Sequence, residues 1–186
     1  MRIVGGHNKG AKLVTPKSNK TRPTSDKVRE SLFNRLTHGS EGFELEGARV
    51  LDLFAGTGAL GLEALSRGAA FAVFIEDAIE ARGLIRRNIE QLERTGQTKL
   101  FRRNATNLGP LKRFEPFNLV FLDPPYNKGL GEKTLQSAIE GNWLTENALI
   151  ILEEAKDTVI NWPTRCTPIS EHTYGDTTLH MAKINL

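Results

Sequence analysis

The chain has 186 residues, 39% of them hydrophobic and 25% charged, a globular composition that excludes a low-complexity or fully disordered polymer. Its single cysteine, Cys166, excludes an intramolecular disulfide framework and a cysteine-based metal cluster, and the four histidines show no metal-ligand spacing. The net charge is only +3, but residues 1–37 carry nine bases against two acids, so +7 lies there and −4 on the rest.

A basic end on a mildly acidic body suggests a polyanionic partner such as nucleic acid. Residues 1–37 are therefore read as a basic appendage and residues 38–186 as the main domain. The basic N-terminus has no apolar core behind it, so it is not a secretory signal. No run of about 18 apolar residues follows anywhere, which leaves no membrane-spanning helix. A cytoplasmic, monomeric protein is expected.

Within the appendage, Arg2-Ile3-Val4 and Ala11-Lys12-Leu13-Val14 are β-like and predict a small hairpin with Gly10 near its turn. Two strands alone are marginal in water, so this hairpin should lean on the body or order on its partner. Thr24 or Ser25 then caps a helix, with Asp26 favourably placed in its first turn. Val28, Leu32 and Leu36 give that helix one apolar face. Residues 38–47 form a polar loop.

From Ala48 the chain alternates. Apolar strand runs are expected at 50–54, 71–75, 99–101, 119–122 and 148–152. Helices are expected at 59–67, stopping at Gly68, and along the stripe Ile79, Leu84, Ile85, Ile89, Leu92. Another is traced by Leu130, Thr134, Leu135, Ala138 and Ile139. Strands that are apolar throughout and alternate with helices predict an α/β fold, a parallel sheet covered on both faces. Residues 165–173 and 177–184, joined by the turn Tyr174-Gly175-Asp176, predict an antiparallel hairpin closing one edge. Cys166, in that hairpin, reads as a small buried residue and not a nucleophile.

The loop Phe54-Ala55-Gly56-Thr57-Gly58-Ala59-Leu60-Gly61 joins the first strand of the main domain to its first helix. Gly56, Gly58 and Gly61 fit G-x-G-x-x-G, which allows a tight turn and close approach of a nucleotide-like ligand. Glu76, about 20 residues on at the end of the next strand, suits both ribose hydroxyls. An adenosine-containing cofactor follows. A dinucleotide fits the same loop, so an NAD-dependent dehydrogenase is a rival. Against it, the Asp52 carboxylate suits a cationic amino-acid end better than a pyrophosphate.

Asp123-Pro124-Pro125-Tyr126 weighs more. These residues end an apolar strand, and in an open α/β sheet the carboxyl ends of strands border the ligand site. Proline has no amide hydrogen, so the segment leaves the ladder with its carbonyls free to accept. An exocyclic amino group on a base is a poor nucleophile, because its lone pair is delocalised into the ring. Asp123 and the Pro124 carbonyl can each accept one N–H and aim that lone pair at a sulfonium methyl, while Tyr126 stacks on the base. Positioning and electrostatics then supply most of the catalysis. A base in a duplex must first be flipped out.

Residues 52–58 and 123–126 resemble motif I and the (N/D)-P-P-(Y/F) motif of the class I S-adenosylmethionine-dependent methyltransferases that act on amino groups. More narrowly, Arg2-Ile3-Val4-Gly5-Gly6, Thr21-Arg22-Pro23-Thr24, Val28-Arg29-Glu30 and residues 59–68 are similar to the RsmD family. That family methylates N2 of a guanine in bacterial small-subunit (16S) rRNA, and the partner expected is that rRNA within the small ribosomal subunit or an assembly intermediate.

The resemblance implies a Rossmann-like, seven-stranded sheet with the last strand inserted antiparallel. It implies that Asp52, Phe54, Ala55, Gly56, Thr57, Gly58 and Asp123 border S-adenosylmethionine and that Glu76 takes the ribose. Asn104-Ala105 stands where many relatives have Asp-Ala near the adenine. It also places rRNA on the basic end, with Arg2, Lys9, Lys12, Arg22, Thr24 and Arg29 as contacts. Two other readings remain. A DNA or other RNA amino-methyltransferase shares the proline motif, but there is little room here for a DNA-reading domain. A non-catalytic rRNA-binding assembly factor would not need the glycine loop, Glu76 and the proline motif together.

Overall fold

The computed structural model describes residues 1–16, 25–39 and 42–185. In chain order its elements are α1 (Asp26–His38), β1 (Arg49–Leu53), α2 (Ala59–Ser66), β2 (Phe71–Ile75), α3 (Ile79–Gln91) and β3 (Thr98–Phe101). They continue with β4 (Phe117–Leu122), α4 (Leu130–Glu140), β5 (Leu144–Ala155), β6 (Cys166–Tyr174) and β7 (Thr177–Ile184).

Among the described residues seven strands form one sheet in the order β3-β2-β1-β4-β5-β7-β6. The first five are parallel, and β7 runs antiparallel between β5 and β6. The chain runs outward from β1 to β3, returns to β4 and continues the other way. The strand order therefore reverses between β1 and β4, where Leu53 lies opposite Leu122. In open α/β sheets the ligand crevice lies at that switch, outside the carboxyl ends.

The strands are apolar on both faces because both faces are covered. Val50, Phe74, Phe121 and Met181 pack in one core with α1, α2, α3 and the N-terminal segment. Leu51, Val73, Val120 and Ile150 pack in another with α4, Trp143 and Leu108. Burying a side chain such as Phe74 contributes about 1.5–3 kcal/mol. Cys166 is buried in the second core, and burial raises its thiol to about 11, so it is an inert core residue.

Ser25 caps α1, its hydroxyl accepting the Val28 amide at 3.2 Å. Leu32, Phe33 and Leu36 turn inward, and the Phe33 ring meets Phe121 with centroids 5.7 Å apart. The N-terminal hairpin is reduced to one antiparallel bridge, Arg2 to Lys12, but it leans on the body as expected. Ile3 and Leu13 enter the same core as α1 and α2. No helix among the described residues is long and apolar enough to cross a membrane.

Two expectations need correction. Ile79 is 81% exposed, not part of the buried stripe of α3. It is the first residue of the helix, ahead of Leu84, Ile85 and Ile89, which do pack inward. β5 begins at Leu144, earlier than the apolar run suggests. Its first residues include exposed Glu146 and Asn147, and the β4 register shifts between Phe117 and Leu119. Asn147 adopts φ 59° there, so the pattern reads as a strand only beyond the irregularity.

Candidate active site

The glycine loop closes on itself and on two acids. Gly58 donates to the Ala55 carbonyl at 2.6 Å, and Gly56 and Gly58 take φ of 56° and 77°. Such values favour glycine, and a Cβ at Gly56 would meet only the Phe54 carbonyl at 3.9 Å, so the loop's outer face is open to a ligand. Phe54 also has a positive φ, 59°, a strained conformation of the kind that clusters at ligand sites. Ala55 is nearly buried, and its amide donates to the Ile75 carbonyl at 3.2 Å. Gly61 is the packing glycine: a Cβ there would fall 2.5 Å from the Phe74 ring.

Glu76 stands at the end of β2 as predicted. One carboxylate oxygen accepts the Gly56 amide and the other the Ala78 amide, each at 2.9 Å. Each oxygen keeps a lone pair for a hydroxyl. Asp52 is buried and accepts the Gly61 amide at 2.9 Å. It therefore braces the loop from below. The Thr57 carbonyl accepts from Asn88 at 2.9 Å. Asn104 is exposed, and its side-chain oxygen already accepts the Thr106 amide at 2.9 Å and hydroxyl at 2.8 Å. Both lone pairs are engaged, so that oxygen is not available to an adenine amino group. Ala105 is buried against the second core.

Across the switch, Asp123 follows β4, and its amide meets the Leu53 carbonyl at 3.4 Å. Pro124 is buried, Pro125 exposed, and Tyr126 half-buried. The Tyr126 hydroxyl donates to Glu153 at 2.6 Å and lies 3.2 Å from the Thr177 hydroxyl. The Asn127 amide donates to Glu154 at 2.6 Å.

Carboxylates thus crowd the crevice. Burial raises Asp52 to about 8, with the Gly61 bond opposing and Glu76 adding to the rise. Asp123 is held well above the ordinary carboxylate range, by desolvation first and then by Glu153, Asp52 and Glu154. A bound cation relieves the mutual repulsion that opposes ionisation here, so crowded carboxyls of this kind suit a cationic ligand. Together with the open glycine loop and Glu76, they fit a cofactor carrying a ribose, an ammonium and a sulfonium.

The basic positions divide. Arg2, Lys9 and Lys12 are exposed. Arg22 and Thr24 lie outside the described residues. Arg29 is a correction: it is wholly buried, donating to Asp26 at 2.9 Å and to the Arg2 carbonyl, with its Nε 3.6 Å from Glu63. It cannot reach RNA.

Several site-supporting residues escaped the sequence reading. Asn88 left a signal, a polar residue on the buried stripe of α3; it exchanges hydrogen bonds with Val14 and reaches Thr57. Glu153, Glu154 and Thr177 left none, because their role depends on where β7 inserts.

Comparison with known proteins agrees with this geometry. Residues 1–183 match the model of a family described as "Conserved hypothetical protein 95". The chain belongs to this family. Its relatives include ribosomal RNA small subunit methyltransferase D of Escherichia coli, 44% identical over 154 residues, which cover 82% of this chain and 74% of that one. The Haemophilus influenzae protein of the same name is 36% identical over 180 residues, covering 94% and 89%. The solved structure of the yhhF protein from Escherichia coli superposes with a TM-score of 0.84 at 34% identity, over 100% of this chain and 98% of that one. The resemblance to the RsmD family therefore holds, and with it the class I methyltransferase fold.

Most of the blocks that carried that narrower resemblance meet at one junction. Glu63 accepts the Val4 amide at 2.8 Å and the Arg67 guanidinium at 2.8 Å, beside Arg29. The Ser66 hydroxyl donates to the Gly5 carbonyl at 2.6 Å and accepts the Asn8 amide at 2.9 Å. These family blocks lock the N-terminal segment onto α2.

Proposed function

We propose that this protein moves a methyl group from S-adenosylmethionine to the N2 amino group of a guanine in small-subunit (16S) rRNA. The observation that carries the reading is the placement of Asp123-Pro124-Pro125-Tyr126 across the β1/β4 switch from an open glycine loop, in a crevice crowded with carboxylates. The cofactor supplies an electrophilic methyl on a sulfonium.

The chain's own residues do the rest. Gly56 and Gly58 leave room for the cofactor, and Glu76 holds the ribose. The negative field of Asp52 and Asp123 favours the cationic end. Asp123 and the Pro124 carbonyl accept the two N–H groups of the target amine. Tyr126 presents its ring to the base. As positive charge moves to the nitrogen, the Asp123 carboxylate stabilises it and then takes the proton, which by that stage is acidic.

The target guanine must be unpaired or flipped out. Exposed Arg2, Lys9 and Lys12 meet the phosphates of the rRNA, together with Arg22 and Thr24. The protein works as a cytoplasmic monomer on rRNA, within the small subunit or an assembly intermediate of it. The test is incubation with methyl-labelled S-adenosylmethionine and, separately, small subunits, naked rRNA and DNA, followed by nucleoside digestion. Label is expected in N2-methylguanosine from rRNA. Label in DNA, in methyladenosine, or nowhere would refute the reading.

A further inference from the structure

The carboxylate clamp on Tyr126 has no part in the mechanism above. Glu153 is 5% exposed and Glu154 3%, and they are neighbours on β5, so their side chains leave opposite faces of the strand. Both nevertheless reach the loop that follows β4. Glu153 takes the Tyr126 hydroxyl, and Glu154 takes the next amide, that of Asn127, both at 2.6 Å. Asn127 has φ 58°, so the chain reverses immediately after the ring. Thr177 approaches the same hydroxyl at 3.2 Å from the start of β7, where it pairs with Ala155.

A plain structural account would be that a buried phenol needs a hydrogen-bond partner. Thr177 alone would meet that need. A carboxylate is a costly choice in a buried place, the more so beside Asp123, Asp52 and Glu154. What it adds is a short, charge-assisted bond that fixes one end of the ring and leaves its faces unobstructed by the tie. An aromatic platform is useful only if its plane is set before the base arrives, because orientation is what the reaction draws on.

We infer that Glu153, assisted by Thr177, is a positioning residue that presets the plane of Tyr126 for the target base. The inference rests on the proposed amino-methylation at Asp123, and it makes the C-terminal hairpin part of the base-binding apparatus.

The test is a double-mutant cycle read by single-turnover methyl transfer to small-subunit rRNA. Glu153→Ala should lower the rate ten- to a hundredfold, and Tyr126→Phe by a similar factor. The double variant should be no slower than Tyr126→Phe, because Glu153 acts through that hydroxyl. Glu153→Gln, whose amide oxygen still accepts the phenol proton, should recover much of the rate. Affinity for S-adenosylhomocysteine, which lacks the sulfonium charge, should stay within threefold. A Glu153→Ala rate within twofold of the wild type, or losses that multiply in the double variant, would overturn the inference.

A second readout needs no activity. The chain has two tyrosines, so protein labelled at tyrosine Cζ gives two carbon resonances. The Tyr126 resonance should move in Glu153→Ala and Glu153→Gln while that of Tyr174 stays. An unmoved Tyr126 resonance would overturn the clamp. A wild-type protein that transfers no methyl would instead refute the proposed function.

Discussion

Arg29 and Glu63 lie 3.6 Å apart, guanidinium to carboxylate, and neither side chain meets solvent. The pair joins α1 to α2 and, through the Val4 amide, holds down the N-terminal segment. Removing Glu63 leaves Arg29 buried with Asp26 as a remaining carboxylate partner and takes the acceptor from the Val4 amide and Arg67. Glu63→Ala should therefore destabilise the fold by about 3–5 kcal/mol, seen as a lower urea midpoint. Lys27→Ala, at an exposed position on α1, should stay within about 0.5 kcal/mol.

The same junction changes how the RNA contact must be tested. Deleting the N-terminal segment would strip Ile3 and Leu13 from the core and take from Glu63 and Asn88 their hydrogen bonds to Val4 and Val14. Lost RNA binding would then report lost folding. Charge reversal at exposed Lys9 and Lys12 avoids this. The double variant Lys9→Glu, Lys12→Glu should bind rRNA more weakly, and each lost phosphate contact should flatten the salt dependence by about 0.7–0.9 in log–log slope. An unchanged slope with an unchanged melting temperature would remove these lysines from the interface.

Gly61→Ala tests the loop's foundation. The added Cβ would fall 2.5 Å from the Phe74 ring and 3.1 Å from the Asp52 carboxylate, whose oxygen holds the Gly61 amide. Overpacking of this kind costs about 1–3 kcal/mol. A fall in stability together with weaker S-adenosylhomocysteine binding is expected in calorimetry.

Proton linkage gives a further check. Burial raises Asp52 to about 8 and Asp123 well above its usual range. Between about pH 4 and 8 the folded protein then binds more protons than the unfolded chain, so these acids weaken folding as pH rises through that window. A bound cation favours their charged forms. Binding of S-adenosylmethionine near neutral pH should therefore release protons and tighten as pH rises toward 8. Titration calorimetry in two buffers of different ionisation enthalpy reads the release directly. S-adenosylhomocysteine, without the sulfonium, should release fewer. Proton uptake would contradict this electrostatic picture.

Much of this was legible in the sequence, for local reasons. Doubly buried strands such as 71–75 are apolar without a break, and the turn at Gly175 could only join antiparallel neighbours. The glycine loop and the proline motif are contiguous, so their chemistry is written side by side. Long-range partnerships were not legible. Arg29, on a basic helix, reads as one more cation until α2 brings Glu63 against it. Glu153 lies just past the expected strand 148–152, and nothing local marks it as a partner of Tyr126. Asn104 reads as a ligand contact until its own turn claims its oxygen.

The most direct test of the account is the Asp123→Ala variant beside the wild type, with methyl-labelled S-adenosylmethionine and small-subunit rRNA. The carboxylate is assigned to the target amine, while the glycine loop and Glu76 hold the cofactor. The variant should still bind S-adenosylhomocysteine, yet transfer label to guanine N2 at least a hundredfold more slowly. Transfer at the wild-type rate would contradict the assignment of chemistry to the end of β4.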